Sequence, residues 1–120
     1  MNIKKMGFLV LLVLIIGAFV YADNSRLAPG YYIYTGTRTD IDFMIYIGDF
    51  YNGWAPFSFH RRSDGRLNGA ENTCKIVGNM VEVFDSRDKG SAATRGKYNA
   101  RISGRNEIQY NGHTFRHQNG

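Results

Sequence analysis

The stretch EIQYNGHTFRH, residues 107–117, places Asn-Gly between two short runs in which apolar and polar side chains alternate. A two-residue type I′ turn needs positive φ at both central positions, and Asn-Gly tolerates that best. Centring the turn on Asn111 and Gly112 sets Tyr110 opposite His113, Gln109 opposite Thr114, Ile108 opposite Phe115 and Glu107 opposite Arg116. Because side chains alternate across a strand, Ile108, Tyr110, His113, Phe115 and His117 then share one face. The stretch is predicted to be a hairpin with that apolar face inward, and its two histidines on the inward side.

The same grammar extends upstream. In CKIVGNMVEV, residues 74–83, a turn at Gly78 and Asn79 pairs Val77 with Met80, Ile76 with Val81, Lys75 with Glu82 and Cys74 with Val83. Cys74, Ile76, Val81 and Val83 then point inward, and Lys75 and Glu82 are expected to form a cross-strand charge pair outside. YYIYTG and DFMIYIGDF flank the polar TRTD and read as a first hairpin, whose second strand is apolar on both faces. WAPFSFHRR follows, with Phe57 and Phe59 alternating against Ser58 and His60; Pro56 suggests an edge or a bulge. Residues 61–72 form the longest polar stretch and the expected major loop. A second loop, DSRDKGSAATRG, leads into the expected strand KYNARIS, in which Tyr98, Ala100 and Ile102 alternate with Lys97, Asn99 and Arg101. About eight short strands joined mostly by tight turns favour an all-β fold, a small antiparallel up-and-down β-barrel.

The 120-residue chain has room for one domain, and its amino end is not part of it. Lys4 and Lys5 precede MGFLVLLVLIIGAFVYA, an uncharged apolar run, and Val20 and Ala22 are the small residues a signal peptidase reads. Residues 1–22 are therefore expected to be a signal peptide, with a cut before Asp23 and a single β-barrel domain over 23–120. The alternative is a membrane anchor over residues 6–22, although the run is short for a span of roughly 20 residues. KKMGF also resembles a pilin-type leader, but Leu12 stands where those subunits carry glutamate. The implied location is periplasmic or secreted, with transient membrane contact through the leader only.

Loss of the leader leaves 13 basic against 10 acidic residues. This mild excess suits an acidic partner or an anionic envelope polymer and gives no case for nucleic acid. Cys74 is the only cysteine, so no intramolecular disulfide can form.

The segments GYYIY, KIVGNMVEV and GKYNARISGRNEIQYNGHTFRH resemble those of small calycin-like bacterial barrels. SAATRGKY, residues 91–98, resembles the loop that periplasmic lysozyme inhibitors insert into the lysozyme cleft. The resemblance implies that Ser91 hydrogen-bonds the enzyme and that Lys97 meets its acidic catalytic groups, with Arg95 and Tyr98 in the same loop. Two departures stand: the disulfide usual in those inhibitors is impossible here, and the chain after Tyr98 differs.

His113 and His117, with Tyr110 or Glu107 nearby, are weak candidates for a zinc site, lacking an evident third ligand since Glu107 faces outward and His60 lies on another strand. Capping of the barrel mouth by the two rings is the better reading. Cys74, between apolar strand neighbours, reads as buried and inert. No GxSxG, HExxH or glycine-rich phosphate loop is present, and Asp40, Asp42 and Asp49 are dispersed. Arg95, Lys97, Arg101, Arg105 and Arg116 read mainly as a solvated exterior. Trp54, in GDFYNGWAPF, is the expected exposed aromatic contact. Together these features point to a non-enzymatic binding protein without a cofactor, acting on a protein or envelope component. A carrier of a small apolar ligand and a zinc-dependent enzyme are the alternatives.

Overall fold

The computed structural model describes residues 23–120, and the leader expected at 1–22 lies outside them. Eight strands form a closed antiparallel barrel in sequence order. They are β1 (Gly30–Tyr34), β2 (Phe43–Ile47), β3 (Ala55–Arg61), β4 (Asn72–Val77), β5 (Met80–Asp85), β6 (Ala100–Gly104), β7 (Glu107–Tyr110) and β8 (His113–His117). No helix among the described residues is long and apolar enough to cross a membrane.

Both hairpins adopt the expected register. β7 and β8 pair Tyr110 with His113 and Glu107 with Arg116, across a turn in which Asn111 and Gly112 have φ of 51° and 79°. β4 and β5 pair Cys74 with Val83 and Val77 with Met80. β1 closes the barrel on β8 through Tyr32–His117, Ile33–Arg116 and Tyr34–Phe115. Alternation sends Tyr32, Ile45, Ile47, Phe57, Val81, Val83, Ile108 and Phe115 inward, all fully buried. Cys74 is equally buried, and Ala55 and Ala100 are nearly so; these small residues give the large rings room.

Three local expectations are corrected. Lys75 and Glu82 are directly opposed but form no ion pair; Lys75 Nζ lies instead 5.0 Å from the Phe84 ring centroid and 5.5 Å from that of Trp54. Pro56 sits inside a closed wall. Its missing N–H points toward β2 just past the last β2–β3 pair, Ile47–Phe57, while its carbonyl accepts from Gly48 N at 2.9 Å. The strand expected over residues 97–103 begins only at Ala100. The Asn99 side chain takes a strand's place there, its Oδ1 accepting from Val83 N at 2.9 Å.

One end of the barrel is plugged by residues whose sequence shows no strand or helix period. Residues 23–26 make a helical turn, and Leu27 follows with no exposed surface. Polar groups tie this segment to three turns. Asn24 Oδ1 accepts from Phe50 N at 2.9 Å, Arg26 donates to the Gly78 carbonyl, and Ala28 N donates to Arg105 O at 2.8 Å. The Tyr32 hydroxyl, buried beneath, donates to Ala28 O. The loops 35–42, 62–71 and 86–99 lie at the opposite end, the mouth.

Because Leu27 completes the core, Leu27→Ala is expected to lower the unfolding free energy by about 2–4 kcal/mol in urea titration. A loss below about 1 kcal/mol would place the plug outside the cooperative unit.

Candidate functional site

The loop between β5 and β6 leaves the wall early. β5 and β6 pair only at Met80–Arg101 and Val81–Ala100, so the backbone from Phe84 to Asn99 must be satisfied otherwise. Asp85 N donates to Ser91 O at 3.0 Å, Ser91 N to Asp88 O at 3.0 Å, and Lys97 N to Thr94 O at 3.1 Å. Within the turn Ala93–Gly96, Thr94 (φ 47°, ψ 44°) and Arg95 (φ 55°, ψ 39°) are both left-handed. Non-glycine residues held there cost on the order of 1–3 kcal/mol each and persist only when their surroundings hold them. Two anchors do so here. Ala93 is 8% exposed, and Tyr98 packs edge-on against Phe59 at 5.1 Å between ring centroids.

Thr94, Arg95 and Lys97 are left exposed on this anchored turn, and neither cation has an ion-pair partner among the described residues. Ser91 is also exposed, but its hydroxyl donates to Asp88 Oδ2 at 2.9 Å, leaving its lone pairs for a visitor. Tyr98 is half-buried and serves the loop as a root. Two clefts open beside it, about 320 Å³ under Lys97 against Phe43 and Tyr110, and about 190 Å³ toward Asp85 and Thr94. Below them, buried side chains occupy the barrel interior.

Trp54 was the expected exposed aromatic, yet it is half-buried. Its ring meets Phe84 edge-on at 5.4 Å, and Lys75 and Lys89 lie over it; Tyr51, three residues earlier, is 75% exposed instead. Trp54 and Tyr51, both from the expected aromatic contact segment, border a groove of about 710 Å³ on the outer wall that extends to Tyr31, Tyr46 and His60. Its floor is built from outward positions. Tyr31 and Tyr46 pack with their rings tilted by 44° and centroids 4.9 Å apart, and the His60 ring stands edge-on to Tyr31 at 5.4 Å. His60 Nδ1 faces the Gly65 carbonyl at 3.1 Å, an acceptor only, so Nδ1 carries the proton. Nε2 then accepts from the Ser58 hydroxyl at 2.8 Å. The signal available in the sequence was the doubly apolar β2, whose outward Tyr46 needed a partner.

The structure separates the two candidate metal ligands. Both rings are on the inward side of β8, but His113 and His117 occupy its two ends, about 13 Å apart at strand rise. His113 stands edge-on to Tyr34 at 5.6 Å, at the mouth, whereas His117 Nε2 reaches the Pro29 carbonyl at 2.7 Å, beside the plug. The expected pair of rings capping the mouth is therefore a single ring. His60 faces outward on β3, and among the described residues no three His, Cys, Asp or Glu side chains converge on a point where a metal would sit.

The outward cations are partly matched. Arg116 Nε donates to Glu107 Oε2 at 3.0 Å, and bonds from Ser103 and Arg116 hold the Glu107 carboxyl below the usual carboxylate range. Asp40 is held down likewise by Arg38. With the geometry in place, comparison with known proteins adds no relative: no family model, curated protein or solved structure matches the chain.

Burial, reinforced by Asp23, pushes the Cys74 thiol up to about 12. The neutral thiol is thus favoured in the folded state, and its contribution to stability is complete below about pH 8.5 and fades as pH rises toward the folded value. Native protein at pH 8 is expected to resist an aromatic disulfide reagent and to react stoichiometrically in denaturant. Rapid reaction of the native protein would contradict the burial.

Proposed function

We propose that the chain is an exported, non-enzymatic binding protein that engages a protein or envelope component through its mouth. In its sharpest form the reading is an inhibitor or immunity-type protein that blocks a cell-wall-degrading enzyme such as lysozyme with residues 91–98. One observation carries it: the mouth holds Thr94 and Arg95 left-handed, with Arg95 and Lys97 exposed and without ion-pair partners among the described residues, while Ala93 and Tyr98 root the turn. A loop fixed in advance loses little entropy on docking, and unpaired cations suit a cleft whose catalytic groups are acidic. Export is supported by the composition of residues 1–22. The carrier reading is the weaker one, because buried side chains occupy the interior that a small apolar ligand would need. Zinc chemistry loses its ligand pair through the separation of His113 from His117.

The test is inhibition of a panel of lysozymes from different structural classes by the domain from Asp23 onward, compared with its Lys97→Ala variant. Lys97 is exposed, so the variant is expected to keep the circular dichroism and unfolding midpoint of the parent while losing at least about tenfold in affinity, or 1.4 kcal/mol. Unchanged affinity would remove Lys97 from the interface. Failure to inhibit any of the enzymes would turn attention to another envelope partner at the same mouth.

A further inference from the structure

We infer that the groove on the outer wall binds a strand of acidic polysaccharide. This site lies outside the mouth and does not rest on the inhibitor reading. A sugar ring has apolar C–H faces and a rim of hydroxyls, so a site for it needs aromatic surface interleaved with hydrogen-bonding groups. The groove supplies both. Tyr31, Tyr46 and the 75% exposed Tyr51 provide ring surface, and Ser58, His60 and Asn72 line it with polar atoms. At about 710 Å³ it lies within the size range of ligand sites. Its polar floor is already ordered, since Ser58 donates to His60 Nε2 and His60 donates to the Gly65 carbonyl. Ser58 is 6% exposed and serves to orient His60, so the partly exposed His60 and Asn72 are the polar groups within a sugar's reach.

Charge selects an acidic chain. Lys89, in the groove lining, has its Nζ 5.1 Å from the Trp54 centroid, and Lys75 Nζ lies 5.5 Å from the same centroid. Neither ammonium has an ion-pair partner among the described residues: Glu71 in the lining and Glu82 opposite Lys75 do not pair with them, and the carboxylate of Asp88, next to Lys89 in sequence, accepts from Gly90 N and the Ser91 hydroxyl. Trp54 therefore holds two cations at one end of a tyrosine-lined groove, where a carboxylate or phosphate on a sugar would meet them.

Trp54 is the only tryptophan in the chain, so its fluorescence reports on this groove directly. A hyaluronan hexasaccharide, which alternates N-acetylated and carboxylated sugars, is titrated into the domain from Asp23 onward, with neutral chitohexaose as the charge control. The expected result is a saturable change, at least about fivefold weaker for chitohexaose and for Lys89→Ala, and weaker again for Tyr51→Ala. Both substituted residues are exposed, and retained circular dichroism separates lost binding from lost fold. No saturable change up to about 10 mM would overturn the proposal. Equal affinity for the neutral hexasaccharide, or an unaffected Lys89→Ala, would overturn the acidic selection. Binding to phosphatidylglycerol vesicles with the hexasaccharide silent would assign the groove to a membrane surface instead.

Discussion

Closure of β8 onto β1 is the constraint on which the rest of the molecule depends. The paired residues Tyr32–His117 and Tyr34–Phe115 lie more than 80 positions apart, and their ladder removes two edges that would otherwise be free to pair with other chains. With one cysteine, no covalent staple can support that closure. It rests on the interior, where the rings of Tyr32, Phe57 and Phe115 are accommodated by Cys74, Ala55 and Ala100. Long-range pairing of this kind must be bought with loop-closure entropy before any contact rewards it. Gly30 shows how tight the join is. Its φ is 139°, and a Cβ there would collide with the His117 ring that holds the Pro29 carbonyl.

Closure also gives the two ends of the barrel different duties. At the plugged end, the connections at 78–79 and 105–106 are minimal, and residues 23–28 bond to their carbonyls, so that backbone is committed to structure. At the mouth, three of the four connections are long, and part of their bonding is local, as Asp88 provides for Gly90 and Ser91. Side chains such as Lys97 are consequently released from structural service. Function is best sought where the fold makes fewest demands, and here that is the mouth and the wall beside it.

The hairpins were legible residue by residue because a two-residue turn sets register and alternation sets faces. Neither Asn111-Gly112 nor Gly78-Asn79 needed any distant partner to be read. The failures share the opposite property. Lys97 to Asn99 continue the alternation of KYNARIS, yet they lie outside β6 because the Asn99 carboxamide, rather than a strand backbone, meets Val83 N. Leu27 carries no periodic signal, and only the assembled barrel end makes it core. Lys75 and Glu82 were correctly opposed, but the aromatic rings of Trp54 and Phe84, one of them from a remote turn, took the lysine. The candidate site was legible to the extent that residues 91–98 are an exposed loop; its left-handed turn was not, because neither Thr94 nor Arg95 advertises that conformation.

The outer wall is the part that core formation does not explain. A closed barrel with one packed side can leave its outward positions polar, as Lys75, Gln109 and Thr114 illustrate. Tyr31, Tyr46 and His60 depart from that pattern at neighbouring positions on three successive strands, and the register makes the departure contiguous: Tyr31 opposes Tyr46, which in turn opposes Ser58, two residues from His60. Mutual packing, tilted and edge-on, covers only part of these rings, for each remains partly accessible in the groove. Aromatic surface left beside water costs free energy that the interior does not recover. A surface contact with a sugar or another ligand would recover it, and the ammoniums of Lys89 in the groove and of Lys75 over Trp54, without ion-pair partners among the described residues, give that contact a sign of charge.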